Sequence, residues 1–318
     1  MAHETSSSRR TPQDTHVAVL MGGWSAERPV SLDSGNGCAE ALEGEGFKVT
    51  RVDVDRNIAA VLTDLKPDVA FNALHGPFGE DGTIQGMLEI LDIPYTHSGV
   101  MASSVAMNKV MSRGLFEAAN VPVATGMVVN RLEAAKRHVM PPPYVIKPIA
   151  EGSSFGVFIV GEDQLHPPQE LHSSDWAFGE DVLIEAFVPG RELTCAVMGD
   201  RALDVTEIVP KTQFYDYEAK YAPGGSDHVL PAEISPNIYQ NIQTLALKAH
   251  RALGCRGVSR ADFRYDDRPD GSGTIACLEV NTQPGMTATS LVPEIAAHIG
   301  IGFGALVTWM VEDASVNR

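Results

Sequence analysis

The sequence predicts an α/β chain with more than one domain, and three observations carry that reading. At 318 residues it is longer than a single hydrophobic core usually grows, so two or three domains are expected. Its N-terminal third alternates short apolar runs with amphipathic stretches, the pattern of parallel strands joined by helices, which leaves functional loops at the carboxyl ends of strands. Farther on, strand-like runs follow one another across Gly-, Pro- and Ser-rich turns. Hydrophobic residues make up 44% of the chain and charged residues 20%, with 29 Gly and 20 Pro, an ordinary globular composition that argues against disorder, a long coiled coil and a fibrous chain.

In chain order, Val17–Met21 is a short apolar run ending at Gly22-Gly23, and 31–46 places Leu32, Cys38, Ala39 and Leu42 at mostly helical spacing before Phe47. Residues 49–54 alternate as a strand, 69–73 form another, and 83–91 read as a helix. A second region starts near Asn108, with a helix over 112–119 and a firm break at Pro141-Pro142-Pro143. Strands are expected over 144–147, 155–160 and 182–187. A third region begins near Glu192, with sheet over 192–197 and 203–209. Ile238, Ile242, Leu245, Ala249 and Leu253 form a helical stripe, 258–265 and 274–281 read as adjacent strands, and two helices near Val292 and Phe303 close the chain. The segment 211–227 is too polar and glycine-rich for a core element and reads as a loop over a site, mobile without ligand. The expected division is thus a flexible leader over 1–15, an N-terminal domain over 16–107, a central lobe over 108–191 and a C-terminal lobe over 192–318.

Lys plus Arg number 24 against 41 Asp plus Glu, a formal charge of −17. A field of that sign repels nucleic acid and anionic membrane, and neither is expected as a partner; a local basic cluster can still hold an anionic small ligand. No run reaches the roughly 18 apolar residues of a spanning helix, and the polar start carrying Arg9 and Arg10 has no apolar stretch behind it, so it reads as no signal peptide. Cys38, Cys195, Cys255 and Cys277 are scattered, which predicts reduced cysteines in a cytoplasmic protein. The ten histidines show no HExxH or clustered Cys/His spacing.

The strongest chemical signal is Asp262 with Glu279 and Asn281. Glu279 and Asn281 are two apart on an expected strand and so share a face; if 261–265 pairs with 275–281, Asp262 comes beside them. Two carboxylates and an amide are hard oxygen ligands suited to Mg²⁺ held jointly with phosphates; the alternative is a solvated sheet edge. The next signal is EGSSFG (151–156), directly after the strand holding Lys147. Backbone N–H groups and hydroxyls of such a hairpin can approach phosphate oxygens, although a plain tight turn has the same composition. It is not a GxxxxGK[ST] loop. His75-Gly-Pro-Phe-Gly-Glu-Asp-Gly82 follows a strand and suits a substrate loop. In Gly22-Gly-Trp-Ser-Ala-Glu27-Arg28, Glu27 either faces a ligand ammonium or caps the next helix.

Together these segments resemble the D-alanine–D-alanine ligases, members of the ATP-grasp superfamily. The resemblance rests on GGWSAERPVSL (22–32), HGPFGEDGTIQGMLE (75–89), YTHSGVMASSVAMNK (95–109), VIKP (145–148), EGSSFG (151–156), LIEAFVPGRELT (183–194), FYDYEAKY (214–221), GCRGVSRADF (254–263) and LEVNTQPGMTATSLVP (278–293), in family order. It implies a Rossmann-like preATP-grasp N-terminal domain, a two-lobed α+β ATP-grasp fold and a homodimer. It also implies ligation of two D-alanines with ATP, giving ADP and phosphate through a D-alanyl phosphate, for peptidoglycan synthesis.

Carried over position by position, Glu27 is expected at the ammonium of the first D-alanine, with His75 bordering that subsite. Lys109 and Lys147 are expected at ATP phosphates, Ser154 in the hairpin beside them, and Glu185 and Glu192 at adenine and ribose with Phe187 and Val188 close to the base. Ser153 and Tyr221 would join Glu27 in the substrate network, Tyr221 favouring an amine over a D-lactate acceptor, while Lys220 and Arg260 would face the transferred phosphoryl. Asp262, Glu279 and Asn281 would hold two Mg²⁺, with Mn²⁺ an admissible substitute and a monovalent cation a further expectation. Gly285 would offer an N–H to the tetrahedral oxygen, and Ser290 with Leu291 would hold the second carboxylate. Asn108, Ile149-Ala150, Gln283, Thr289 and Pro29 depart from the commonest family form.

Overall fold

The computed structural model describes residues 11–152, 155–211 and 225–318. The chain divides into two compact units, one of residues up to Val100 together with Gln283–Arg318, the other Met101–Thr282.

In the first unit, β1 (His16–Gly22) lies at the centre of a three-stranded sheet, parallel to β2 (Lys48–Val54) on one side and β3 (Val69–Asn72) on the other. Apart from His16 every residue of β1 is buried, as a strand covered on both faces requires. The helix α1 (Arg28–Gly44) has Pro29 in its first turn, where the missing N–H costs nothing. Its buried stripe is made of small residues, Ser31, Ser34, Gly35, Cys38 and Ala39, followed by Leu42. A Cβ at Gly35 would stand 2.5 Å from the Met21 Cβ, so glycine is what lets the helix lie this close to β1. The helices α2 (Ile58–Leu65) and α3 (Thr83–Ile90) complete the crossover pattern.

In the second unit two antiparallel sheets form among the described residues. One has the order β4-β7-β5-β6, from β4 (Gly126–Asn130), β5 (Tyr144–Pro148), β6 (Phe158–Val160) and β7 (Asp181–Ala186). The other runs β10-β9-β8-β11-β12, from β8 (Arg191–Met198), β9 (Arg201–Pro210), β10 (Ser226–Val229), β11 (Val258–Tyr265) and β12 (Ile275–Asn281). The strand β8, in the second sheet, begins at Arg191, one residue before the expected C-terminal lobe. The helices α4 (Val100–Met107), α5 (Lys109–Ala118) and α6 (Arg131–Lys136) precede or follow the first strands, and α7 (Pro236–Leu253) packs across β8, β9 and β11. The α7 contacts are made by Ile242, Leu245, Ala246, Ala249 and Leu253, the expected stripe with Ala246 added and Ile238 only partly buried; Gly254 in the left-handed region ends the helix.

Several expectations differ from these elements. The helices α8 (Leu291–His298) and α9 (Phe303–Asp313), expected in the C-terminal lobe, belong to the first unit, where the buried face of α9 packs on α1. Residues 11–15 of the expected leader are structured: Pro12–Asp14 form a turn of 3₁₀ helix and Thr15 is buried. The strand expected over 155–160 is shorter, because Phe155 N–H closes a turn on Gly152 O before β6 begins. The segment 211–227 starts and ends as a hairpin base, with Lys211 N–H on Gly225 O and Ser226–Val229 paired to β9; residues 212–224 lie outside the described residues. The helices α4 and α6 and the strand β4 carry too little apolar periodicity of their own to stand out in the sequence, whereas α2 sets Ile58, Val61, Leu62 and Leu65 at helical spacing and was missed despite it.

The connector from β7 to β8 turns at Gly190, whose φ is +90° and where a Cβ would meet Tyr265 O at 2.2 Å. Gly190→Ala should therefore lower the unfolding free energy by about 1–3 kcal/mol; an unchanged midpoint and slope in guanidinium melts would contradict this account of the turn.

Candidate active site

Within Met101–Thr282 a cavity of about 400 Å³ opens over both sheets. Ala124, Val145, Ile159, Phe187 and Leu278 give it apolar walls, and Lys109, Lys147, Glu185, Glu192, Asp262 and Glu279 give it charged ones. Flat apolar walls beside fixed charges suit a planar base carrying phosphates. Arg264 holds the connector between β7 and β8: it donates to Val188 O at 3.0 Å and Gly190 O at 2.9 Å, lies 3.5 Å from Glu192 and stands 5.4 Å from the Phe187 ring centre.

Glu185 projects from the interior strand β7 and is only 4% exposed. Its Oε2 is 2.6 Å from Lys147 Nζ, and Oε1 is ion-paired with Arg113 on α5. Lys109, one turn before Arg113, donates to Glu151 O at 2.5 Å and lies 3.8 Å from Glu279. Asn108 caps α5, its side chain accepting from the N–H groups of Val110 and Met111. The departure at 108 is therefore a competent helix cap.

The pairing of β11 with β12 sets Asp262 opposite Glu279 and Arg260 opposite Asn281. Directly opposed residues and residues two apart share a face, so these four polar side chains form one patch while Ala261 and Val280 face the core. A bulge follows, since Phe263 pairs with Cys277 and leaves Leu278 unmatched. Asp262 is 7% exposed and accepts from Arg260 Nε at 2.9 Å, Arg260 Nη2 at 2.8 Å and Thr194 Oγ1 at 2.6 Å. Among the described residues no three His, Cys, Asp or Glu side chains converge as a metal site. The donors here are two carboxylates with one amide, a hard set that fits a magnesium-like ion, and the Asp262 Oδ2 retains a lone pair beside its bond to Arg260.

The first unit carries a second cluster. Glu27 stands at the start of α1 and is 6% exposed; its side chain makes no capping bond, so the helix-cap alternative does not hold. A Cβ at Gly76 would meet Glu27 Oε2 at 2.6 Å, which places this carboxylate against the backbone of the 75–82 loop. Ser25 Oγ donates to His75 O at 2.7 Å, His75 Nδ1 is 2.9 Å from Glu80 Oε1, and Nε2 is 3.3 Å from Ser34 Oγ. Ser34 in turn accepts from the Met286 N–H at 3.2 Å. Gln283, 1% exposed, accepts from Asn72 Nδ2 at 2.6 Å and donates to Leu74 O. The departure at 283 thus clamps the strand end that launches the His75 loop. Ser290 Oγ accepts from Thr287 N–H at 3.0 Å, and a Cβ on Gly285 would stand 2.9 Å from that same oxygen. The Leu291 side chain is buried, so its N–H, at the start of α8, is the part left for a carboxylate.

The D-ala D-ala ligase C-terminus family model matches residues 115–312, and the corresponding N-terminus model matches 59–98. The chain belongs to the D-alanine–D-alanine ligase family. Curated relatives from Chelativorans sp. and Xanthobacter autotrophicus, each a D-alanine--D-alanine ligase, are 68% and 70% identical over 95% of this chain and 99% of theirs. Among solved structures, the D-alanine--D-alanine ligase of Bacillus anthracis complexed with ATP superimposes with a TM-score of 0.77 at 26% identity, covering 94% of this chain and 97% of that one. The VanG D-Ala:D-Ser ligase of Enterococcus faecalis gives 0.76 at 28% identity, covering 94% and 99%.

Set on the ligase fold, the expected residues fall into the two clusters. Lys109, Lys147, Glu185, Phe187, Val188, Glu192, Asp262 and Glu279 line the cavity, with Arg260 and Asn281 on the adjoining sheet patch. Glu27, His75, Gly285, Ser290 and Leu291 lie in the other unit. Ser153, Ser154, Lys220 and Tyr221 lie outside the described residues. Arg113, Arg264, Thr194, Ser34, Glu80 and the role of Gln283 were missed. Arg113 had a readable signal, four residues beyond Lys109 on one helix face; Arg264 continued the alternation of Arg260 and Asp262.

Burial pushes the Glu80 carboxyl above its ordinary value of 4.5, with His75 pulling the other way. A folded value above the unfolded one means that this group's stabilising contribution is complete below the unfolded value and is lost as pH rises through the folded one. As pH rises above the ordinary carboxyl value of 4.5 the Tm of the native protein should thus fall relative to that of Glu80→Gln; parallel Tm–pH curves would rule out the burial argument.

Proposed function

We propose that this chain is an ATP-dependent D-alanine–D-alanine ligase. It joins two D-alanines into D-alanyl-D-alanine and releases ADP and phosphate. A carboxylate resists attack by an amine until one oxygen becomes a good leaving group, and phosphorylation of the first D-alanine supplies it. The observation that carries this reading is the cavity in which Lys109, Lys147 and the Asp262–Glu279 pair stand beside apolar walls, in a chain 68–70% identical to ligases of that name.

In this reading Phe187 and Val188 border the base, Glu185 and Glu192 accept from adenine and ribose, and Lys109 and Lys147 offset phosphate charge. Arg260 faces the transferred phosphoryl, with Lys220 assigned beside it from sequence alone. Asp262, Glu279 and Asn281 would hold Mg²⁺, which would offset phosphate charge during transfer. Glu27 accepts from the ammonium of the first D-alanine and His75 borders it. Ser153 and Tyr221 keep their network role, and Ser154 its hairpin role, on resemblance alone. The Gly285 N–H serves the tetrahedral oxygen, and Ser290 with the Leu291 N–H serves the second carboxylate. A cytoplasmic homodimer supplying peptidoglycan precursors completes the proposal; no single described helix is long and apolar enough to cross a membrane.

Purified protein should release ADP on addition of D-alanine but not L-alanine, and mass spectrometry should find the dipeptide. Exclusive coupling to D-serine or D-lactate would overturn the choice of acceptor, and no D-alanine-stimulated turnover would overturn the ligase reading. Asp262→Ala and Glu279→Ala should each lower kcat by about 100-fold or more and weaken Mg²⁺-dependent nucleotide binding. Near-native kcat at saturating Mg²⁺, in variants whose circular dichroism is unchanged, would remove these residues from the metal assignment. Sedimentation equilibrium should give dimers; particles of 34.1 kDa alone at micromolar concentration would refute the assembly.

A further inference from the structure

Lys147 is assigned to nucleotide phosphate, yet in this structure it is 2.6 Å from Glu185. Glu185 is almost wholly enclosed. A lysine cannot leave a buried carboxylate for another anion unless that carboxylate keeps a counter-ion, because an uncompensated buried charge is strongly destabilising. The counter-ion is already there. Arg113 pairs with the other Glu185 oxygen, and its second arm donates to Ala124 O at 2.8 Å. Arg113 is itself buried along the inner face of α5. Across the ion pair, Gly126 brings β4 so close that a Cβ there would stand 3.1 Å from Glu185 Cγ and 3.3 Å from Arg113 Nη2. The guanidinium is therefore anchored at two points, the Glu185 carboxylate and the Ala124 carbonyl, whereas the described partner of the Lys147 ammonium is this one carboxylate. One anion with two cations leaves a surplus positive charge, and Lys147 is the cation on the more flexible stem.

We propose that Arg113 is a positioning residue, the permanent counter-ion of Glu185 that frees Lys147 to move onto the phosphates of ATP. The proposal rests on the reading of the cavity as the nucleotide site. With Arg113 present, Glu185 stays compensated and oriented after Lys147 departs. Without it, Lys147 is the sole partner of Glu185 and is withheld from phosphate. The interaction with phosphate is lost over and above any change at the base, and that excess distinguishes this role from general support of the pocket.

The test uses the full chain and calorimetric binding of ADP and of adenosine to native protein, Arg113→Met, Arg113→Lys, Lys147→Met, Glu185→Gln and Glu185→Gln/Arg113→Met. A charge-assisted hydrogen bond to phosphate corresponds to roughly 10- to 100-fold in affinity. Arg113→Met should weaken ADP by about that factor beyond any change in adenosine, which shares the Glu185 contact, and KM for D-alanine should stay within about twofold. Arg113→Lys should recover most of the loss. The double variant, with no buried anion to hold Lys147, should bind ADP to within about threefold of Glu185→Gln alone. Equal losses for adenosine and ADP, or native ADP affinity in Arg113→Met, would overturn the counter-ion role. Undiminished ADP affinity in Lys147→Met would instead overturn the reading of the cavity, so the two failures are separable. Should Arg113→Met not fold, the double variant decides the matter: ADP affinity more than about threefold below that of Glu185→Gln alone would overturn the counter-ion role.

Discussion

The arrangement of charge in Met101–Thr282 depends on the register of β11 against β12. Pairing Asp262 with Glu279 and Arg260 with Asn281 gathers two carboxylates, a guanidinium and an amide on one face. A slip of one residue would turn every one of them toward the core and bring Ala261 and Val280 out. The register is held from both sides. Toward the core, Ala261, Phe263, Cys277 and Val280 are buried together. Toward the neighbouring strand, Thr194 lies opposite Asp262 and donates to its carboxylate at 2.6 Å. The bulge after Asp262 then adds one residue to β12, so Leu278 joins the cavity wall beside the carboxylates.

Opposed charges are distributed so that each buried anion has its cations nearby. Asp262 has Arg260, Glu185 has Arg113 and Lys147, and Glu192 has Arg264. Such pairs contribute little net stability once desolvation is counted. Their consequence is positional: the side chains stand in fixed geometry before any ligand arrives, which is what electrostatic stabilisation of a transferring phosphoryl requires. A chain of net charge −17 binds a polyanion only through such a local concentration of Lys and Arg.

The first unit uses hydrogen bonds where the second uses ion pairs. The loop after β3 is tied at its base by Asn72, Leu74 and Gln283, and along its length by Ser25, Ser34 and Glu80. The Gln283 amide supplies both a donor and an acceptor, to backbone and side chain, in a fully buried place. The glycines permit this closeness: at Gly76, with φ +74°, a side chain would collide with Glu27 and Ser25.

The sequence by itself determined the α/β class, most strands and the α1 and α7 helices, and it singled out Asp262, Glu279, Asn281, Lys109 and Lys147 as candidates, which the structure brings to one cavity and its adjoining sheet face. Each of these is a local signal: an apolar period, a residue pair two apart on a strand, or a motif. The helices α4 and α6 are short and have no apolar period that stands out from loop composition, whereas α2 carries one at Ile58, Val61, Leu62 and Leu65. Only the tertiary structure decided that α8 and α9 pack with the N-terminal strands, because an amphipathic helix specifies a buried face and not which partner covers it. The same holds for side chains. Composition shows that Arg113 is basic and lies one helical turn beyond Lys109. That it meets Glu185, 72 residues away, follows from α5 and β7 coming together in space, and no local pattern encodes that meeting.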